Sequence, residues 1–595
     1  MSKFFYDGRF EIKKINYSNI ERDFNIYEVY FEHKQLDEQQ EYDKFFKNIR
    51  ELKNIKSFYL KNRLYLLGNK DFILDTLKDI EEKSVKELKL KELEELDPII
   101  ILTLLTRYIP YEIFDSNNKV RYIDMNSIYF FLEKRDMIFK FLSCTFEKYK
   151  FGEEYILGLT QKTFAHESLF VKKPFSKRVR KIGYDSATRL LIPDTAGNYY
   201  ERNPFNKTIE TKFIIRATDD ITKLRSYYFT LIKDIIKEVL KPYINLKFNT
   251  MKSYEHFEIK SNKSFFSNSI KSIQRDIEVY KIKDIKDGQD IIASSEKEFI
   301  KNIKDFNLKN FNFSLKGIAD IDSSFDSIKN WKIFLLNSNT GENLDYDGYR
   351  EIKKRCSNII SNGFLLDKDS NFNVTLNRII EELFIKEQLK EKSISKLHSN
   401  PSLFEGVIYI HYKNEKIRKM TVLKDGKIDI EFCGVFETTK LNKEFEELLK
   451  EFNLEKTFYK FINSSSDFKF MKIGKKKIYI AETGMRLYFD SNEYLNEYLK
   501  EKEIGNKGVS RSLKGFLGMS MDIRVNKKEQ LYYSFYNTGI KDRETFAPNI
   551  KKIISTSRLN EKDYEIFCES LVFKYLSNPA RLASYPFIFK LTNEI

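Results

Sequence analysis

Tyr349 and Lys353 stand four residues apart in YREIK, a spacing that puts both side chains on one face of a helix. They follow the strand-like run WKIFLLNSN, and in an open parallel sheet ligands sit beyond the carboxyl ends of the strands. Lys386, in NRIIEELFIKEQL, offers a second ammonium from the next helical pattern. An aromatic ring for stacking and lysines converging on phosphate are what is needed to hold the end of a nucleic-acid strand. The same residues at the same spacing also make an ordinary solvated helix face, so the pattern alone leaves both readings open.

Two further segments carry positive charge. KKPFSKRVRK contains Lys172, Lys173, Lys177, Arg178, Arg180 and Lys181, six basic residues in ten. With Phe175, Tyr184, Tyr199 and Tyr200 interleaved or nearby, it suits a surface that tracks phosphates and stacks bases; a solvated face is the equal alternative. GNKGVSRSLKGFLG is Gly-rich and holds Lys507, Arg511 and Lys514. Its amides could cradle a phosphate, although a mobile surface loop explains the composition more simply.

Other chemistry is not indicated. His33, His166, His256, His398 and His411 have no metal-ligand spacing. Neither GxSxG nor GxxxxGK[ST] occurs. Cys144, Cys356, Cys433 and Cys568 lie far apart, without a CxxC pair, so neither a zinc site nor a disulfide framework is expected.

The elements that must position these residues belong to a long chain. Its 595 residues imply about four domains. A hydrophobic content of 41% with 15% aromatic residues is enough to fold. The net charge of +16 favours a polyanionic partner through phosphate neutralisation, unless it reflects a lysine-rich proteome. The start, MSKFFYDGRFEIKK, has charges where a signal peptide needs an apolar run, and Pro98 to Leu105 is too short to span a bilayer. A cytoplasmic protein without a membrane partner is expected.

FNIYEVYFEH reads as a strand and SFYLKNRLYLLG as a hairpin, with helices over Asp37 to Leu52 and Asp71 to Leu90. Lys83 to Asp97 reads as a solvated helix or linker, Pro98 to Lys148 as apolar helix, and Thr222 to Leu240 as a long helix. From about Gly288 to Gln388, strands at QDIIAS, FNFSLKGIADI and WKIFLLNSN alternate with helices, which argues for a parallel α/β layer. Beyond Phe404 come three short strands, GVIYIHYK, IRKMTVLK and KIDIEFCG, with a tight turn at Lys424 to Lys427 between the last two. LNKEFEELLKEF then reads as a helix, and TFYKFINSS and KKKIYIAE as strands.

The runs IFLLNSN, YREIKKRCSNIISNGF and NRIIEELFIKEQL resemble the MID domain of prokaryotic Argonautes, and the segment after Phe404 is similar to a ribonuclease-H-like PIWI domain. The resemblance covers about half the chain, and the first half is compatible in order only. It implies a multidomain α/β fold, with a Rossmann-like MID domain and a ribonuclease-H-like PIWI domain after N- and PAZ-like lobes. The expected division is an N-like domain and linker over 1–97, a helical linker over 98–150, a PAZ-like or substitute binding region over 151–250, a linker over 251–287, MID over 288–403 and PIWI over 404–595. By resemblance Tyr349, Lys353 and Lys386 hold the 5′ phosphate of a guide strand. The carboxylate of Ile595, after YLSNPARLASYPFIFKLTNEI, joins them there with a Mg²⁺ ion. The family's glutamine after the Gly-containing turn is replaced by GFLLDK, with Asp367 and Lys368 near that place.

Ribonuclease-H-like nucleases need carboxylates around two metal ions, one of them in the middle of the first strand. Here Val407, Ile408, Tyr409, Ile410 and His411 occupy that strand, and the later position reads Asn463 and Ser464. Asp425 and Asp429 are most simply a turn residue and an outward strand residue. No catalytic metal is therefore expected. The resemblance then implies a non-cutting Argonaute that pairs a short guide with complementary target DNA or RNA. It would recruit an effector such as a helicase–nuclease, as in plasmid-defence systems of the DdmDE kind. An active guide-directed nuclease and a guide-independent single-strand-binding subunit are the alternatives.

Overall fold

The computed structural model describes residues 5–30, 55–60, 63–69, 85–108, 120–121, 127–135, 137–169, 181–185, 190–193, 198–202, 221–251, 253–257, 263–282, 299, 302–303, 310–319, 325, 330–337, 359–366, 372–413, 416–433, 467–489, 521–536 and 549–571. The chain is a multidomain α/β protein that divides into two compact units.

The first unit spans Met1–Ser253, Thr483–Leu517 and Ile540–Ile550. Its larger sheet is built on an antiparallel meander of Ile128–Arg135, Ile138–Lys148 and Tyr155–His166. The N-terminal strand Phe5–Ile15 pairs with Tyr155–His166, with Ile244–Thr250 and with Tyr488–Phe489, so distant segments meet in one sheet. A second sheet orders Ile55–Leu60, Arg63–Asn69, Phe24–Tyr30 and Val85–Glu87, all antiparallel, and contains the hairpin expected at SFYLKNRLYLLG. Helix Pro98–Tyr108 is buried from Ile99 to Arg107, which accounts for its all-round apolar sequence.

The described residues of 98–150, expected to be helical throughout, hold the helix Pro98–Tyr108, the short strand Val120–Arg121 and then two long strands. In IFKFLSCTFEK, β-branched and aromatic residues are dense enough for a strand buried on both faces. Between Lys83 and Asp97, expected as a solvated helix or linker, lie a short strand, Val85–Glu87, and a five-residue helix, Leu90–Glu94, anchored by buried Leu88 and Leu93. The helix expected at Thr222 to Leu240 is Ile221–Glu238. The helices expected over Asp37 to Leu52 and Asp71 to Leu90 lie outside the described residues, except for their last part from Val85.

The second unit spans Tyr254–Glu482, Gly518–Gly539 and Lys551–Ile595. Four parallel strands lie in the order Phe311–Ala319, Arg275–Ile282, Trp331–Asn337 and Ser361–Leu366. The parallel layer and its strands at FNFSLKGIADI and WKIFLLNSN are as expected, while the alternating pattern does not predict strands at Arg275–Ile282 and Ser361–Leu366. The apolar run of Trp331–Asn337 suits an inner strand covered on both faces, whereas the edge strand Phe311–Ala319 leaves Leu315 and Ile318 exposed. Arg275–Ile282 is an inner strand of this layer, so 251–287 is not the expected linker: RDIEVYKI supplies Ile277 and Val279 to the core. QDIIAS lies outside the described residues. Gly363, expected in a turn, sits inside the strand Ser361–Leu366.

A nine-stranded sheet completes this unit, and one continuous core joins it to the parallel layer. The three strands expected after Phe404 are Ile408–Lys413, Lys416–Val422 and Ile428–Cys433, paired antiparallel. On its other side Ile408–Lys413 pairs antiparallel with Asp467–Ile473, while TFYKFINSS lies outside the described residues. Gly426 makes the tight turn possible: its φ is +72°, and a Cβ there would stand 2.8 Å from Cβ of Pro401. Among the described residues no helix is long and apolar enough to cross a membrane.

Candidate nucleic-acid interface

Helix Phe372–Lys390 follows the strand Ser361–Leu366 and packs back against it. Its last turns therefore return to the amino end of the parallel layer. Lys386 lies there, half-buried, and its Nζ donates to the Ser361 carbonyl at 2.7 Å. Ser361 is the register partner of Lys332 on the neighbouring strand. Lys390, one turn after Lys386 on the same helix, has its pKa lowered by desolvation of its ammonium and then by Lys332. Lys386 and Lys390 thus lie toward the amino end of the layer, near the buried Lys332.

Their surroundings are rigid. Lys332 is fully buried, with Nζ 3.1 Å from Glu278 Oε2 and donating to the Asn330 carbonyl at 3.2 Å. Glu278 also accepts from Asn330 Nδ2 at 3.0 Å and from the Tyr280 hydroxyl at 2.9 Å. Burial pushes the Glu278 carboxyl up, but the hydrogen bonds from Asn330, Lys332 and Tyr280 outweigh it and hold the pKa below its ordinary value. Arg275 grips Glu387 through Nε at 2.7 Å and through its terminal nitrogen at 3.2 Å. Trp331 Nε1 donates to the same carboxylate at 3.2 Å. The clamp ties the helix that carries Lys386 to two strands of the layer.

The expected convergence was beyond the carboxyl end of Trp331–Asn337, where Tyr349 and Lys353 follow in sequence. Lys386 lies at the opposite end, because a helix that packs back along its preceding strand carries its last turns to the strand's start. Tyr349, Lys353, Asp367, Lys368 and Ile595 lie outside the described residues, as do Lys172, Lys173, Lys177, Arg178, Arg180, Lys507, Arg511 and Lys514. Lys181 opens the strand Lys181–Asp185, paired with Tyr200 on Tyr199–Arg202. The structure therefore brings Lys386 together with Lys332 and Lys390, which the sequence did not single out. The one signal for Lys332 was a charge inside an otherwise apolar strand.

Near the start of the first strand after Phe404, Tyr409 is fully buried and shares a hydrogen bond of 2.7 Å with Ser570. Burial pushes the Tyr409 phenol well up. His411, two residues on, is buried too. Asp425 is the expected turn residue, exposed with φ +59°, and Asp429 lies half-buried on the edge strand Ile428–Cys433. Among the described residues no three His, Cys, Asp or Glu side chains are grouped to hold a metal ion. Cys144 and Cys568 are buried free thiols. Asn463 and Ser464 lie outside the described residues.

No protein-family model matches the chain, and no curated protein does. Among solved structures, Marinitoga piezophila Argonaute in complex with 5′-OH guide RNA is 12% identical and aligns with a TM-score of 0.45, over 99% of this chain and 98% of that one. Kluyveromyces polysporus Argonaute with a guide RNA aligns at 9% identity and a TM-score of 0.45, over 96% and 89%. Clostridium butyricum Argonaute bound to a guide DNA and a 19-mer target DNA aligns at 12% identity and a TM-score of 0.43, over 98% and 96%. These alignments run nearly end to end, at identities and scores too low to assign a family.

Proposed function

We propose that the chain binds a short 5′-phosphorylated guide strand in the manner of an Argonaute and uses it to recognise complementary nucleic acid without cutting it. The observation that carries this reading is the pair Lys386 and Lys390, one turn apart on a braced helix at the amino end of a parallel α/β layer that shares its core with a large antiparallel sheet. A phosphate terminus is a compact dianion, and charge-assisted contacts from ammonium groups on a braced helix suit it. The excess of positive charge along the chain suits the remaining phosphates. Sequence would then be read by base pairing, with the protein contacting backbone.

The non-cutting part of the proposal rests on Tyr409. A two-metal nuclease needs hard oxygen ligands at the surface of its sheet. The strand instead buries Tyr409, hydrogen-bonded to Ser570, and His411, and carries no acid from Ile408 to Lys413. A guide-binding protein that does not cut needs a partner to act on the recognised strand, and a helicase–nuclease effector acting on invading plasmid or phage DNA fits that need. By resemblance Tyr349, Lys353 and the Ile595 carboxylate would join this site with a Mg²⁺ ion that neutralises phosphate charge; these three residues lie outside the described ones, and Lys386 would reach the phosphate from the amino end of the layer.

The test loads the full chain with a guide and offers labelled complementary and scrambled strands in Mg²⁺ and in Mn²⁺. Selective retention of the complementary strand, left intact, is the expected result. Guide-directed cleavage would replace this reading with the active nuclease, and equal retention of both strands with guide-independent binding.

A further inference from the structure

Arg225 is the least explained charge in the described part of the first unit. It sits in the second turn of helix Ile221–Glu238 and is 9% exposed. Its Nε is enclosed and has no hydrogen-bond partner. Phe229, one turn further along the same face, stacks on Tyr488 with ring centroids 4.4 Å apart and planes 3° from parallel. Arg486 stands two residues before Tyr488, so the register that seats Phe229 on Tyr488 sets Arg486 beside Arg225. Among the described residues neither arginine has a carboxylate partner. The guanidinium of Arg225 is pushed down to about 10 by burial first and then by Arg486.

Burying one guanidinium beside another, with no anion between them, is unfavourable for folding. Such an arrangement stores its compensation in a ligand. Two guanidinium forks can take phosphate oxygens bidentately, and the positive start of an 18-residue helix lies one turn away. We propose that Arg225 and Arg486 form a clamp for a phosphate group, carried to it in the backbone of a bound nucleic-acid strand. Only the source of the phosphate rests on the function proposed above; the clamp itself rests on the two arginines. Nothing in the sequence announced it, because the residues lie 261 positions apart.

The experiment uses the full chain as wild type, Arg225→Met and Arg486→Gln. Thermal unfolding without ligand comes first. Arg225→Met should melt no lower than wild type, since it removes an uncompensated buried charge and keeps a long apolar side chain. An arginine serving only the fold would instead lower the melting temperature when replaced. Binding of a labelled single strand of about 20 nucleotides is then measured across a salt series, with inorganic phosphate as a separate ligand. The expected result is binding weakened about tenfold in either variant, with a log–log salt slope shallower by about 0.7 for the lost contact.

Inorganic phosphate raising the melting temperature of wild type alone, while no form binds the strand, would support the clamp and overturn the nucleic-acid reading. Unchanged strand binding in both variants, without a phosphate effect, would overturn the clamp and leave nucleic-acid binding standing.

Discussion

Tyr409 and Ser570 share a hydrogen bond of 2.7 Å that joins the strand Ile408–Lys413 to the helix Glu561–Leu571. Both residues are buried, and the Ser570 hydroxyl also donates to the Ile566 carbonyl at 2.6 Å. Tyr409→Phe deletes one of these bonds and keeps the packing. It should destabilise the second unit by about 1 kcal/mol, read as a lower urea midpoint at constant slope. Tyr409→Asp should cost several times more, because a carboxylate would replace a ring in a closed core, and it should not confer metal-dependent cleavage. Cleavage by that variant would show that the strand faces a competent metal site.

Glu387 holds three donors from two neighbours, Arg275 and Trp331. Glu387→Ala leaves Trp331 without that acceptor and frees a half-buried guanidinium. A loss of about 2–4 kcal/mol is expected, toward the lower part of the range for broken buried pairs because Arg275 is partly solvated. Chemical denaturation checks the magnitude. The same variant should loosen the helix carrying Lys386 and weaken guide binding.

Acidification gives a signed prediction. The folded-state pKa of Glu278 lies below its ordinary value of 4.5, because three hydrogen bonds outweigh burial. The unfolded chain therefore binds the proton more readily, and the stability from this group is present above pH 4.5 and lost as pH falls through the folded value. Glu278→Gln should lower the denaturation midpoint at pH 7 and flatten its fall in acid. An unchanged acid limb would assign that limb to other carboxylates.

Gly426→Ala tests the turn between Lys416–Val422 and Ile428–Cys433. The positive φ and the 2.8 Å approach to Pro401 both oppose a Cβ. The expected cost is about 1–3 kcal/mol, from backbone strain and crowding together, measured as a drop in melting temperature. Asp425→Gly, at a neighbouring left-handed position that is exposed, should be close to neutral.

Periodicity read best where one element answers to local pattern. The hairpin over Ile55–Asn69, the helices Ile221–Glu238 and Phe372–Lys390 and the three strands after Phe404 lie where alternation or helical spacing put them. The failures are elements whose identity depends on both faces being covered. Ile138–Lys148 is buried on both faces, Lys140 and Ser143 included, so no two-residue period marks it, and Arg275–Ile282 carries charges that look like a linker until its neighbours bury Ile277 and Val279. The site was legible only in part for a similar reason. Lys386 could be named as a helical lysine, but its meeting with Lys332 depends on strand register, and Arg225 with Arg486 on a pairing of distant segments.

The proposed grip on the phosphorylated end of a guide is open to direct titration. Short single strands carrying 5′ phosphate or 5′ hydroxyl are titrated at fixed salt against wild type, Lys386→Ala and the double variant Lys353→Ala/Lys386→Ala. Charge-assisted contacts contribute about 1.5–3 kcal/mol each, so wild type should prefer the phosphate by at least about tenfold. The preference should shrink with Lys386→Ala and vanish in the double variant. Equal binding of the two strands by all three proteins would contradict the account and leave a basic protein that holds nucleic acid without recognising its end.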